Sequence, residues 1–161
     1  MSLKIFIVFV CVAAGTAAGY VVMSIYKRNF AYLDGVCKLL AELKRNIAYR
    51  RDAAASVLGS ATIDSPQLKK NVEEYIAFTS GKADKPTISR GFLSTEVHAR
   101  VCELFSSLGK SDGSTQIDEL DMFGKTFGEL RAAAETKCKK QGAVAVKLGF
   151  LLGLGVGILT L

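Results

Sequence analysis

At 161 residues, half of them hydrophobic and with a formal net charge of +6, the chain is about one domain long and has enough apolar material for a core. A single histidine, His98, and four cysteines without close paired spacing, Cys11, Cys37, Cys102 and Cys138, argue against a metal centre, a disulfide framework or a histidine-based catalytic set, and no cofactor is expected. The positive excess is modest and partly juxtamembrane, which suits anionic lipid headgroups and does not call for nucleic acid.

From Ile5 to Tyr26 the run IFIVFVCVAAGTAAGYVVMSIY carries no charge, and as a helix it would measure about 33 Å, enough for the hydrocarbon layer. The competing reading is a cleaved secretory signal with Lys4 as its basic start and Thr16-Ala17-Ala18 as the cleavage site. A signal's apolar region is about 7–15 residues, and this run continues past Ala18 into Lys27 and Arg28, so an uncleaved anchor over residues 1–26 is favoured. Phe30, Leu33, Cys37, Leu40, Leu43 and Ile47 then recur at steps of three and four, the stripe of an amphipathic helix leaving the membrane. An Ala-rich turn ends at Gly59, and SATIDSP connects to the next helix, with Asp64 or Ser65 as N-cap and Pro66 in the first position. That helix is expected to reach about Ser80 and to bury Leu68, Val72, Tyr75, Ile76 and Phe78.

SGKADKPTISRG, Ser80 to Gly91, reads as a surface loop because glycine, proline and charge break any periodicity. Ser94 or Thr95 can cap a helix whose stripe is Val97, Val101, Leu104 and Leu108, with Glu96 favourably placed in its first turn. The last helix begins near Thr115, carries Ile117, Leu120, Phe123, Phe127, Leu130 and Ala134 on its buried side, and meets no proline before Leu161. Unbroken, it would be about 70 Å long, coupling the membrane part to the bundle, with Gly124, Gly128 and Gly142 as its weak points. Its terminal stretch, Ala143 to Leu161, reaches about 28 Å if Lys147 is a snorkelling boundary residue. Strand signals are absent. The expected fold is therefore all-α: a cytoplasmic helical domain over 27–142, flanked by transmembrane helices over 1–26 and 143–161.

Lys27, Arg28, Lys38, Lys44 and Arg45 follow the first span, and Lys137, Lys139, Lys140 and Lys147 precede or enter the second. Positive segments stay in the cytoplasm, so both termini are expected outside. Gly149, Gly153 and Gly157 repeat every four residues, with Gly155 in addition, and Gly15 and Gly19 repeat the spacing in the first span. Such faces let backbones approach closely. They could pair within one chain or between copies, and glycine is also simply common in membrane helices.

Leu108 to Ser114, LGKSDGS, contains the Gly-Lys-Ser triplet that closes a nucleotide-binding P-loop. A P-loop needs a glycine where Leu104 stands, and a strand before it; both are missing. Gly109 instead suits the left-handed position after a helix, and Ser111 through Thr115 can cap the next one. Lys110, Ser111, Asp112 and Gln116 cluster at this turn and are the candidate partner contact, the alternative being that Asp112 and Gln116 only satisfy the helix ends. With one histidine, no metal spacing and no P-loop, no catalytic residue is expected.

LGKSDGSTQIDEL, Leu108 to Leu120, joined by a long helix to the terminal KLGFLLGLGVGILTL, resembles stage III sporulation protein AB of endospore-forming bacteria. The layout resembles it as well: an N-terminal span, a basic start to the soluble part, a helix ending LKRNIAYR, Gln116 after the hairpin and a second span at the end. The chain departs from the family's pattern at Lys44 and Asn46, where glutamates are usual, and RRDAAASVL replaces a proline-containing turn. The resemblance implies a domain similar to the F platform protein of type II secretion and type IV pilus systems. It also implies a place in the membrane around the engulfed forespore, within a channel or feeding-tube complex whose companion ATPase and other membrane proteins are the expected partners, with association into a homo-oligomer possible. A secretion or pilus platform outside sporulation is the alternative.

Overall fold

The computed structural model describes residues 2–50, 54–110 and 113–159, with side chains over 6–48, 55–110 and 114–159. Six α-helices follow one another: α1 (Ser2–Arg50), α2 (Ala54–Ser60), α3 (Pro66–Thr79), α4 (Thr95–Ser107), α5 (Gly113–Lys137) and α6 (Ala143–Leu159), with a π turn at Cys138–Gly142 between the last two. The described residues include no strand, so the fold is all-α. The chain divides into two compact units, Ala31–Ala132 and the pair of terminal segments Met1–Phe30 and Ala133–Leu161.

In the unit Ala31–Ala132 the core begins on α1, where Tyr32, Leu33, Val36, Leu39, Leu40, Leu43 and Ile47 are all buried. The stripe is broader than the expected one, because helices pack on this segment from two sides, and Phe30 and Cys37 lie only half-buried at its edge. Helix α3 starts as its sequence dictates, with the Ser65 hydroxyl accepting from the Leu68 N–H and Pro66 in the first turn. Its buried face is Leu68, Asn71, Val72 and Tyr75, so it is rotated away from the expected Ile76 and Phe78; Phe78 is 38% exposed. Asn71 occupies that place because its polar atoms are all engaged. The side-chain Nδ2 donates to the Tyr32 hydroxyl at 2.9 Å and to the Ser89 carbonyl at 3.2 Å, and the side-chain Oδ1 accepts from the Ser89 N–H at 3.0 Å.

Ser94 caps α4 by accepting from the Val97 N–H, and Glu96 stands in the first turn. Val97, Val101, Leu104 and Phe105 are buried, and the Phe105 ring lies 5.3 Å from that of Tyr75. The connection before α4 is a surface loop pinned along its second half. Gln67 donates to the carbonyls of Ser89 and Arg90, and His98 Nε2 donates to the Ile88 carbonyl at 2.9 Å. His98 therefore anchors a loop. On α5 the buried stripe is Gln116, Leu120, Phe123 and Phe127, with Ile117 and Leu130 half-buried.

Candidate functional site: the glycine seam and the α4–α5 turn

In the unit built from the two terminal segments, α1 and α6 pack antiparallel, backbone against backbone. A Cβ added to Gly15 would overlap the Gly149 carbonyl and lie 2.9 Å from the Gly153 Cα; one added to Gly19 would lie 2.7 Å from the Ala145 carbonyl oxygen. At Gly153 it would sit 2.6 Å from the Cys11 carbonyl oxygen, and at Gly157 3.0 Å from Val8 Cγ1. The seam thus pairs Val8 with Gly157, Val12 with Gly153, Gly15 with Gly149, Gly19 with Ala145 and Met23 with Gly142. Steps of three or four on both helices keep one smooth stripe facing the other, the arrangement that drives helix association where lipid removes the hydrophobic incentive. Gly155 has open space around it and takes no part.

The other faces of the same helices are apolar and open: Phe6, Phe9, Tyr20, Val21, Leu151, Leu152 and Leu159 are each at least 60% exposed. A surface of that kind suits lipid rather than water. Both helices are long and apolar enough to cross a membrane.

The uninterrupted α-helix expected through to Leu161 is broken, among the described residues, by the π turn at Cys138–Gly142. From Ala134 to Gly142 is eight residues (142 − 134), which in an α-helix overshoots two turns by about 80°. A π turn absorbs one extra residue, so the two positions become in effect seven steps apart and share a face. Both are buried, Gly142 against Met23. The π turn therefore sets the phase that aims the glycines of α6 at α1.

At the α4–α5 turn, Gly109 adopts φ 77°, a backbone conformation open to glycine, and closes α4. Beneath it the Tyr75 hydroxyl donates to the Leu108 carbonyl at 3.0 Å, tying the base of the turn to α3. Lys110 is exposed. Gln116 is only 7% exposed, on the same stripe as Leu120, and its Nε2 has no hydrogen-bond partner among the described residues. The structure thus separates Lys110, on the surface, from Gln116, in the core. Ser111 and Asp112 lie outside the described residues.

Lys44 and Asn46 each have a partner in the structure. Lys44 forms a two-pronged ion pair with Asp121 of α5, Nζ lying 2.5 and 2.8 Å from the carboxylate oxygens; a glutamate there would face a like charge. The Asn46 amide donates to the Glu42 carbonyl. One helical turn before Lys38, Asp34 receives Lys38 at 3.0 Å and Arg131 at 2.6 Å. The hydrogen bond from Lys38, reinforced by the Arg131 charge, holds its carboxyl below the usual aspartate range against the opposing effect of burial. Burial dominates at Tyr32, whose phenol is pushed up to about 12 although the Asn71 hydrogen bond pulls the other way. No group of three or more metal-ligating side chains occurs among the described residues.

These features define a class: an all-α protein with a compact helical unit and a glycine-seamed pair of helices able to cross a membrane. A family model for stage III sporulation protein AB (spore_III_AB) matches residues 4–161, and the chain belongs to that family. The protein therefore acts at stage III of sporulation. Neither the curated proteins nor the solved structures contain a match to the chain.

Proposed function

We propose that the protein is a non-enzymatic membrane platform in the sporulation channel, or feeding-tube, complex between mother cell and forespore, required for forespore development after engulfment. The observation that carries this reading is the family match over residues 4–161, in a chain whose two apolar helices are seamed together. In this reading α1 and α6 cross the membrane derived from the mother cell and both termini lie outside. The helical domain over 27–142 faces the mother-cell cytoplasm, because Lys27, Arg28, Lys137, Lys139 and Lys140 flank the spans on that side. Its architecture would be shared with the F platform protein of type II secretion, and its partners would be the companion sporulation ATPase and other membrane proteins of the complex.

The α4–α5 turn is proposed as the docking point. Lys110, Ser111 and Asp112 supply its polar surface, and Gln116 supports it from the core. Deletion of the gene in its own host tests the function, read by the count of heat-resistant spores and by membrane-dye microscopy. The expected result is engulfed forespores that stop developing; a normal spore yield would refute the reading. Lys110→Glu should leave the folded protein at its normal level in the membrane and lower the spore count.

A further inference from the structure

Lys147 is the sole charged residue in Ala143–Leu161, and Ile5–Tyr26 has none. The seam fixes its depth. Gly19 lies against Ala145 and Gly15 against Gly149, so Lys147 is level with Ala17. Ten residues (27 − 17) separate Ala17 from Lys27, the first charge on the basic side of α1, and seven (147 − 140) separate Lys147 from Lys140 on its own helix, rises of about 15 and 10 Å. A fully extended lysine stem spans about 6 Å, so even a snorkelling ammonium stays about 4 Å or more short of the basic flank. Lys147 is thus buried in the hydrocarbon more deeply than a boundary residue, where an ionisable side chain is costly unless paired.

The side chain is exposed on the outer face of the helix pair. It borders an open hollow of about 440 Å³ lined by Thr16, Val146, Phe150 and Leu151. The hollow holds no neutralising group, since none of its lining side chains is acidic and Thr16, which donates to the Val12 carbonyl at 2.7 Å, is uncharged. A second copy cannot supply one either, for the chain contains no Asp or Glu from Met1 to Leu33 or from Thr136 to Leu161. A lipid phosphate lies at the surface, above the ammonium's reach. A carboxylate at the same depth on another helix meets the requirement.

We propose that the Lys147 face docks a transmembrane helix of a different protein, one that carries an Asp or Glu in the basic-side half of its span and seats an apolar side chain in the hollow. The inference rests on α1 and α6 crossing the bilayer, and not on the channel role in sporulation.

The test uses the full chain in its host membrane, with a photo-reactive amino acid at Leu151, which is 60% exposed. Adducts are identified by mass spectrometry for the parent chain and for Lys147→Arg and Lys147→Met. One protein with a carboxylate in its apolar span should be captured, with a yield kept by Lys147→Arg and lowered about tenfold by Lys147→Met. Exchanging the charges, Lys147→Glu with lysine at the partner's carboxylate, should restore it. No adduct, adducts only with lipid or with a second copy, or a yield indifferent to Lys147→Met would overturn the proposal. Alkaline carbonate extraction run in parallel tests the membrane premise by itself: release of the chain would overturn both the spans and this inference, while the spore count tests the channel reading separately.

Discussion

The seam between α1 and α6 leaves no room for an added carbon at Gly153. A Cβ there would lie 2.6 Å from the Cys11 carbonyl oxygen and 2.9 Å from the Val12 Cα, both main-chain atoms that cannot swing aside, whereas ordinary contact begins at 3.4 Å. The helices must therefore part by about 0.8 Å, the difference between the two distances, and a gap of about 0.5–1 Å forfeits a quarter to a half of each pair's attraction along the seam. With the strain of overpacking, Gly153→Ala should cost about 1–3 kcal/mol, and Gly153→Leu should open the seam altogether. Gly155, two residues away with nothing within 4 Å, is the control. The assay follows from a second distance: a Cβ at Gly157 lies 3.4 Å from the Val8 Cβ, close to the spacing of about 3.5–4.5 Å that a disulfide needs. In a chain with its native cysteines replaced by serine, Val8→Cys with Gly157→Cys should oxidise to an intrachain disulfide. Adding Gly153→Leu should suppress it, and adding Gly155→Leu should not. Full crosslinking in the Gly153→Leu background, or crosslinking only between copies, would refute the seam.

Other consequences can be checked in the helical unit. Gly124 and Gly128 stand within α5 with open space around them, so Gly124→Ala and Gly128→Ala should each stabilise by about 0.5–1 kcal/mol, seen as a raised denaturation midpoint. Asn71→Leu should cost about 1–3 kcal/mol, since it strips the buried Tyr32 hydroxyl of its partner, and hydrogen exchange at the Ser89 amide should quicken as its acceptor disappears. Because Asp34 has a depressed folded-state pKa, its contribution to stability is present above the ordinary aspartate range and is lost as the pH falls through the lowered value. The stabilities of the parent and Asp34→Asn should therefore differ near neutrality and converge in acid; a gap that persists in acid would contradict the ion-pair account. Lys44→Glu should destabilise, but only by about 1 kcal/mol or so, because the pair with Asp121 is nearly half-exposed and screened.

What could be read in the sequence depended on whether a residue's type announces its place. Helix starts at Ser65-Pro66 and Ser94, and the left-handed Gly109, were legible because a cap or a positive φ demands particular residues. The glycine spacing displayed two smooth faces, but a face does not name its partner, and pairing within the chain emerged only from the packed backbones. Tyr32, Val36 and Leu39 fell outside a stripe drawn one residue wide, since the breadth of a buried face depends on how many helices cover it. Asn71 and Gln116 were hidden by their polarity: each sits at a core position on its helix, and hydrophobic periodicity passes over it. The π turn was legible only as Gly142, a weak point of the helix; the rest of CKKQG gives no sign of it, and the mismatch between Ala134 and Gly142 is what reveals that a residue must be absorbed there. That Lys147 stands level with Ala17 could not be read from α6 alone, because the antiparallel register with α1 sets it.

The seam also imposes an order on biosynthesis. Gly15 and Gly149 are 134 residues apart (149 − 15), so at about 5–20 residues per second the ribosome needs roughly 7–27 s to deliver the second after the first. Throughout that interval the N-terminal helix waits with its glycine stripe open to whatever neighbour arrives. Closure of the stripe must await α6, and a chain stopped short of Gly149 lacks the residues that pack against Gly15.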